Sequence, residues 1–270
     1  MNNELYKKKH ELWLQILFAS FAIDDEAIKS KLYDFSQIEF RHMKWVAQAI
    51  LQNGAEYNYD RDMILYKRKS VFEVLRPLKE SILQLIALYG DTPLYERMHS
   101  DESYFVEYID MLLADEKNDN PVEAFNMQNR LKSLDTASQM SLTMFLFEES
   151  YKEYELILVY AYMQNRTQSV MEYDVFQDLI DESHFHLKSF CNMMAKLGIL
   201  ALPRELHERT YKIEDLKKFI QDGIAEEEAA KEMCRELSSS IEDEELSKFF
   251  DFINNQESYH IELMKRLLDA

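Results

Sequence analysis

Chain breakers are scarce: four glycines and four prolines in 270 residues. Sandwiches and barrels of many short strands need far more turn chemistry than that, whereas long helices need little. Only two cysteines occur, Cys191 and Cys234, in no close-spaced motif. That excludes a disulfide framework and a rubredoxin-type four-cysteine iron centre, and a reducing, cytoplasmic setting is expected. Basic residues are outnumbered 31 to 50, for a net charge of -19. Such a surface repels phosphate backbones, so no nucleic acid partner is expected. No apolar run is long enough to span a bilayer, so no membrane partner is expected either. One stretch imitates a secretory leader, with Lys7, Lys8 and Lys9 preceding LWLQILFASFA. Glu11 and Gln15 interrupt it, and it runs on as an amphipathic pattern.

What is present favours helices. Hydrophobic residues make up 47% of the chain, in runs rich in Glu, Lys, Leu, Met and Ala, a composition with high helix propensity and ample core material. The fold class is all-α. Clear breaks fall at Asn53-Gly54, Gly90 to Pro93, the EKNDNP stretch ending at Pro121, and Gly198 to Pro203. Between these and weaker breaks, periodicity predicts helices over about 4–22, 25–52, 66–89, 93–116, 136–164, 171–197, 212–238 and 242–268. A shorter helix is expected over about 122–132, and Pro77 either kinks the third helix or marks its start. Eight helices with short connections make four antiparallel hairpins, enough for two four-helix bundles.

The second helix of each hairpin carries one short pattern: Glu39-Phe-Arg-His42, Glu102-Ser-Tyr-Phe105, Glu182-Ser-His-Phe185 and Glu257-Ser-Tyr-His260. Spacing alone means little, because composition predicts about one chance Glu-x-x-His match in a chain like this. Placement says more. Glu39 and His42 continue the stripe Ile28, Leu32, Phe35 toward Val46, and Glu257 and His260 continue Leu246, Phe249, Ile253 toward Met264. Both pairs stand where the helical period calls for core residues. A buried carboxylate must be paired, protonated or metal-bound. Residues three apart lie about 5–6 Å apart at Cβ, which suits one metal centre and equally a buried Glu–His hydrogen bond. Partner carboxylates would come from the first helix of each hairpin. Glu227 shares a stripe with Ile220, Ala230 and Cys234, and Glu149 lies with Leu142, Phe145 and Leu146, with Glu153 one turn beyond. Glu11 lies with Leu14 and Phe18, although His10 shares an equally apolar face with Trp13 and Leu17. The third helix offers no Glu on its stripe.

The pattern resembles the ferritin-like superfamily, and rubrerythrin-type members in particular. The resemblance is clearest over Ala225–Leu268, fair over 8–50 and degenerate between. It implies ferritin-like four-helix bundles with one Glu from each of two helices and Glu-x-x-His from each of the other two. Two domains are expected, 1–118 and 134–270, if hairpins pair in sequence order. Alternatively, hairpins 4–52 and 212–268 form one bundle and 66–197 the other. That arrangement would collect Glu11, Glu39, His42, Glu227, Glu257 and His260 into a full family-like ligand set. Phe105 and Phe185 depart from the pattern, since phenylalanine cannot ligate. His186, four residues after Glu182, either supplies the ligand missing at 185 or is a satisfied core histidine; carboxylate plus His at that spacing also resembles heme-oxygenase-like di-iron oxidases. His99, His184 and His207 are expected to be exposed.

The resemblance implies a dinuclear centre of iron (two per site) or manganese, for which hard oxygen ligands with few imidazoles are suited. Peroxidase, ferroxidase or catalase-like chemistry on peroxide, dioxygen or ferrous iron would follow, with a separate electron-donor protein and a homodimer among the expected partners. Tyr151, Tyr154, Tyr160 and Tyr259 are candidates for electron relay. The competing class is a non-catalytic helical scaffold with degenerate metal sites, favoured by Phe105, Phe185 and the acid-free third helix.

Overall fold

The computed structural model describes residues 3–131 and 134–268. Met1, Asn2, Asp269 and Ala270, at the limits of the expected domains, and Lys132, at the end of the expected 122–132 helix, lie outside the described residues. The described chain is all-α, with α1 (Asn3–Ala22), α2 (Glu26–Gln52), α3 (Val71–Ile86), α4 (Pro93–Leu113), α5 (Thr136–Gln164), α6 (Val170–Lys196), a single turn α7 (Glu208–Tyr211), α8 (Leu216–Ser240) and α9 (Glu244–Leu268). Among the described residues, β pairing is limited to one isolated bridge, Ser70 with Pro121.

Local chemistry sets the helix starts. Asp25 Oδ1 accepts the Ala27 and Ile28 N–H groups at 3.0 Å each, capping α2. Thr92 caps α4 with Pro93 in its first turn, where a missing N–H costs nothing. Asp135 and Asp215 cap α5 and α8 in the same way. α3 begins five residues later than the periodicity predicts because Ser70 caps it and the preceding segment is tied down elsewhere, with Tyr57 and Tyr59 buried against Tyr6. Pro77 sits inside α3 without ending it. Its ring removes the N–H that would bond the Glu73 carbonyl, and Arg68 Nε donates to that carbonyl instead at 3.1 Å.

The chain divides into two compact units: Met1–Gln128 with Ala195–Glu205, and Asn129–Met194 with Leu206–Ala270. Unit 1 contains α1–α4, with α1 against α2 and α3, and α4 against α2 and α3. Its core includes Trp13, Leu17, Leu32, Val46, Leu75, Ile82 and Ile109. The expected short helix over 122–132 is not formed across its described residues, which make turns with Phe125 and Met127 at positive φ. There the chain packs against Gly198 (φ +73), where a Cβ would lie 2.4 Å from the Gln128 nitrogen, so only glycine fits. Unit 2 contains α5, most of α6, and α7–α9. α8 pairs with α9, and α5 meets α6 through Tyr160 on Phe176 and Phe145 on Phe190. No described helix is long and apolar enough to cross a membrane.

Each core has the same oddity. Lys9, Glu39, His42 and Glu102 are buried in unit 1, and Glu149, Glu153, His186, Glu227, Glu257 and His260 in unit 2. Charged groups do not stay in a core without partners.

Candidate metal centre

In unit 2, four helices aim ligating side chains at one another. α5 supplies Glu153, α6 supplies Glu182 and His186, α8 supplies Glu227, and α9 supplies Glu257 and His260. His186 Nδ1 lies 2.9 Å from Glu153 Oε1 and 3.6 Å from Glu257 Oε1. His260 Nδ1 lies 3.2 Å from Glu257 Oε2 and 4.0 Å from Glu227 Oε2, and its Nε2 lies 4.0 Å from Glu182 Oε2. The two imidazole centroids are 4.8 Å apart. These groups form three triads whose ligand atoms fall within 4.8 Å of one another: Glu153–His186–Glu257, Glu227–Glu257–His260 and Glu182–His186–His260. Each is able to coordinate a metal ion. Glu257 belongs to the first two, one oxygen facing each histidine.

The electrostatics are those of acids held together under protest. Burial, reinforced by a hydrogen bond with Glu257, lifts the Glu227 carboxyl well above the usual range, and burial raises Glu257 as well. Burial opposes a charged His186, but the facing Glu153 and Glu257 carboxylates outweigh it and hold its pKa up at about 9. Burial lowers the His260 pKa, and the neighbouring His186 adds to this against the pull of Glu153, Glu227 and Glu182. His186 Nε2 meets Gln256 Oε1 at 3.0 Å, an arrangement that fixes the ring and leaves Nδ1 facing the carboxylates. Lys152 Nζ lies 3.5 Å from Glu227 Oε1 at the edge of the cluster.

Do these residues fit a metal? Glu153 Oε2 and His260 Nε2 are buried and make no hydrogen bond among the described residues. An orphaned buried acceptor is expensive, and a cation would satisfy both. The donor set fits.

The positions named from sequence separate in the structure. Glu182, His186, Glu227, Glu257 and His260 come together in unit 2. Glu149 is buried beside them, with burial raising its pKa to about 7, yet it joins none of the triads; Glu153, one turn on, does. Phe185 is 40% exposed, so α6 turns position 186 inward where the repeat suggested 185. His184, expected at the surface, is buried because its Nδ1 finds the Ile180 carbonyl at 2.9 Å. His99 and His207 are exposed.

Glu39 and His42 come together in unit 1, but with company that sequence reasoning missed. Glu102 joins them as a triad, and the Lys9 ammonium lies among the three. Its Nζ is 3.0 Å from Glu39 Oε2 and 3.3 Å from His42 Nδ1, and it bonds Glu102 Oε1. Burial opposes the Glu39 charge, but Lys9 holds its pKa down at about 2. Tyr89 Oη donates to Glu102 Oε1 at 2.6 Å, and His42 Nε2 meets Asp101 Oδ2 at 3.1 Å. Glu11 points elsewhere, accepting from Lys8 Nζ at 2.9 Å and the Asp62 N–H at 2.7 Å. His10, on the next face, is buried between Trp13 and Tyr59. Phe105 stacks on Phe35 at 3.9 Å. A signal for Lys9 did exist in the sequence: it interrupts the stripe Leu5, Leu12, Ile16.

Comparison of the chain with protein-family models, with curated proteins and with solved structures finds no match.

Proposed function

We propose that unit 2 is a dinuclear iron or manganese centre in a ferritin-like four-helix bundle, and that it acts on peroxide, dioxygen or ferrous iron. The observation that carries this reading is the pair of triads joined at Glu257, Glu153–His186–Glu257 and Glu227–Glu257–His260. Each half offers one imidazole, one carboxylate of its own and a share of Glu257, a donor set suited to iron and manganese over copper or zinc. When bound, such a metal pair supplies electron transfer and activation of an O–O bond. Glu182, the least buried of the six, completes the set from α6.

The surrounding residues have definable tasks. Gln256 orients His186 so that Nδ1 faces the centre. Apolar packing by Phe145, Phe190 and Phe250 keeps water from the cluster's end. Tyr160 is buried, its hydroxyl makes no hydrogen bond among the described residues, and burial together with the charges of Glu227, Glu153 and Glu257 raises its pKa well above that of a free phenol. It is one of the candidate tyrosines that feels the charges of the cluster's carboxylates, and relaying an electron through it would require one of them to take its proton. The spacing of Glu182 and His186 also favours a second reading, a heme-oxygenase-like di-iron oxidase, which uses the same residues on an organic substrate.

Elemental analysis of protein from iron- and manganese-supplemented cells tests the centre. About two metal ions per chain are expected, and Glu257→Ala with His260→Ala should remove them. Fewer than about 0.2 ions per chain in the unmodified protein would overturn the proposal.

A further inference from the structure

The clusters of the two units can be compared helix by helix. Where α5 offers Glu153, α1 offers Lys9. Where α8 offers Glu227, α3 carries Leu75, Leu78 and Ile82, with no acid on the buried face. Where α9 offers His260 after Glu257, α4 offers Phe105 after Glu102. What remains in unit 1 is Glu39, His42 and Glu102, three ligands converging on one point, and an ammonium stands at that point. We infer that Lys9 is the resident cation of unit 1, that it closes the Glu39–His42–Glu102 triad to metal, and that removing its charge turns the triad into a metal site.

Three observations carry this. Lys9 has no solvent exposure and both carboxylates bond it, so a metal entering the triad would sit within a few ångströms of a trapped positive charge and be repelled by it with little screening. Lys152 makes the contrast: its side chain is 20% exposed and its ion pair, with Glu227 at 3.5 Å, lies at the edge of the cluster, while Glu149, Glu153 and Glu257 act on it from farther off. Finally, Glu102 is 1% exposed, yet its Oε2 makes no hydrogen bond among the described residues. The triad thus keeps a buried donor atom that the lysine leaves unused. Lys9 already offsets one of the two carboxylate charges, so a divalent ion finds less negative charge left to neutralise.

The inference concerns unit 1 and is independent of whether unit 2 holds metal. The experiment titrates Mn(II) against the full chain and counts free Mn(II) by electron paramagnetic resonance. In the Glu257→Ala, His260→Ala protein, uptake should stay below about 0.1 per chain while Lys9 is present. Adding Lys9→Ala, or Lys9→Gln where the alanine variant needs metal to fold, should raise uptake to about one. His42→Ala on top of either should abolish it again. Folding of the alanine variant only when Mn(II) is supplied would support the inference in its own right. Two results would overturn it: Mn(II) uptake with Lys9 intact that His42→Ala abolishes, or no uptake by either Lys9 variant. If the unmodified chain binds no metal at all, the proposal for unit 2 fails, but the gain on replacing Lys9 is still read.

Discussion

Replacing Lys9 by methionine isolates the charge from the packing, because methionine keeps a similar unbranched stem and lacks only the ammonium. The structure sets the expected cost. Lys9 is fully buried and bonded to two carboxylates that are themselves 2% and 1% exposed, so its loss leaves Glu39 and Glu102 facing each other with His42 as their only near cation. Removing one partner from a buried ion pair costs about 3–5 kcal/mol. Uptake of a proton by one carboxylate caps the cost near that range. The chain provides its own probe: its two tryptophans, Trp13 and Trp45, both lie in unit 1, one a turn from Lys9 and the other stacked on His42 at 5.3 Å. Tryptophan fluorescence during urea unfolding therefore reports unit 1 alone. At a slope of about 2 kcal/mol per molar urea, the midpoint should fall by about 1.5–2.5 M. Adding Glu39→Gln and Glu102→Gln to Lys9→Met should restore more than half of the loss, since no buried charge is left uncompensated. A midpoint that moves by less than about 0.5 M would refute the reasoning. So would a triple variant no more stable than the single one, because the loss would then lie in packing.

Other outcomes follow from the same structure. His10 is wholly buried and its pKa is lowered to about 3, by burial first and by Arg61 second. The unfolded chain takes up this proton below pH 6.5 and the folded chain does not, so stability is lost as pH falls from about 6.5 toward 3, at up to about 1.4 kcal/mol per pH unit. Tryptophan-monitored unfolding at pH 7 and pH 5 should differ by about 2 kcal/mol from this group, and His10→Met should flatten the difference. In unit 2, Glu153→Ala should lower metal content at least several-fold while Glu149→Gln leaves it near that of the unmodified chain; equal losses would mean the centre extends to Glu149. Gly198→Ala should destabilise unit 1 by at least about 1–3 kcal/mol, since positive φ alone costs that much and the new Cβ meets backbone. An unchanged urea midpoint would show that the 126–128 turn can move aside.

The helices were legible because their grammar is local. Sparse glycine and proline, acidic N-caps and a 3.6-residue stripe located α2, α4, α5 and α9 to within about three residues. The start of α3 was not, because what ends the preceding segment is the docking of Tyr57 and Tyr59 on Tyr6, a contact about fifty residues away in sequence. The candidate ligands were legible wherever a polar residue broke an otherwise apolar stripe, as with Glu39, His42, Glu257 and His260. α5 defeated that method. It is buried over so much of its circumference that Glu149 and Glu153 both read as inward-facing, and only the position of His186 separates them. α6 turned on one residue: the aligned repeat pointed to 185, while the helix places Phe185 at the surface and His186 at the centre.

Lys9 shows a deeper limit, which is a matter of sign. A search for ligands looks for acids and imidazoles on apolar stripes, and a lysine there reads as a side chain reaching for water. α1 gives no such escape: fifteen of its twenty residues are buried, on every face, so the ammonium must find its counter-charges inside. Two carboxylates in a core need a cation, and the chain can meet that need with an ion from solution or with one of its own. Among its described residues, unit 2 has no fully buried ammonium at its centre: Lys152, 20% exposed, pairs with Glu227 at 3.5 Å from the edge, and Glu149, Glu153 and Glu257 act on it from farther off. Unit 1 has one, and its missing acid on α3 and its phenylalanine at 105 are what such a replacement requires: with one positive charge supplied by the chain, fewer negative charges and one fewer nitrogen suffice. On the proposed reading, the acid-free face of α3, the phenylalanine at 105 and the buried lysine of α1 go together: a covalent cation stands in unit 1 where unit 2 would bind one from solution.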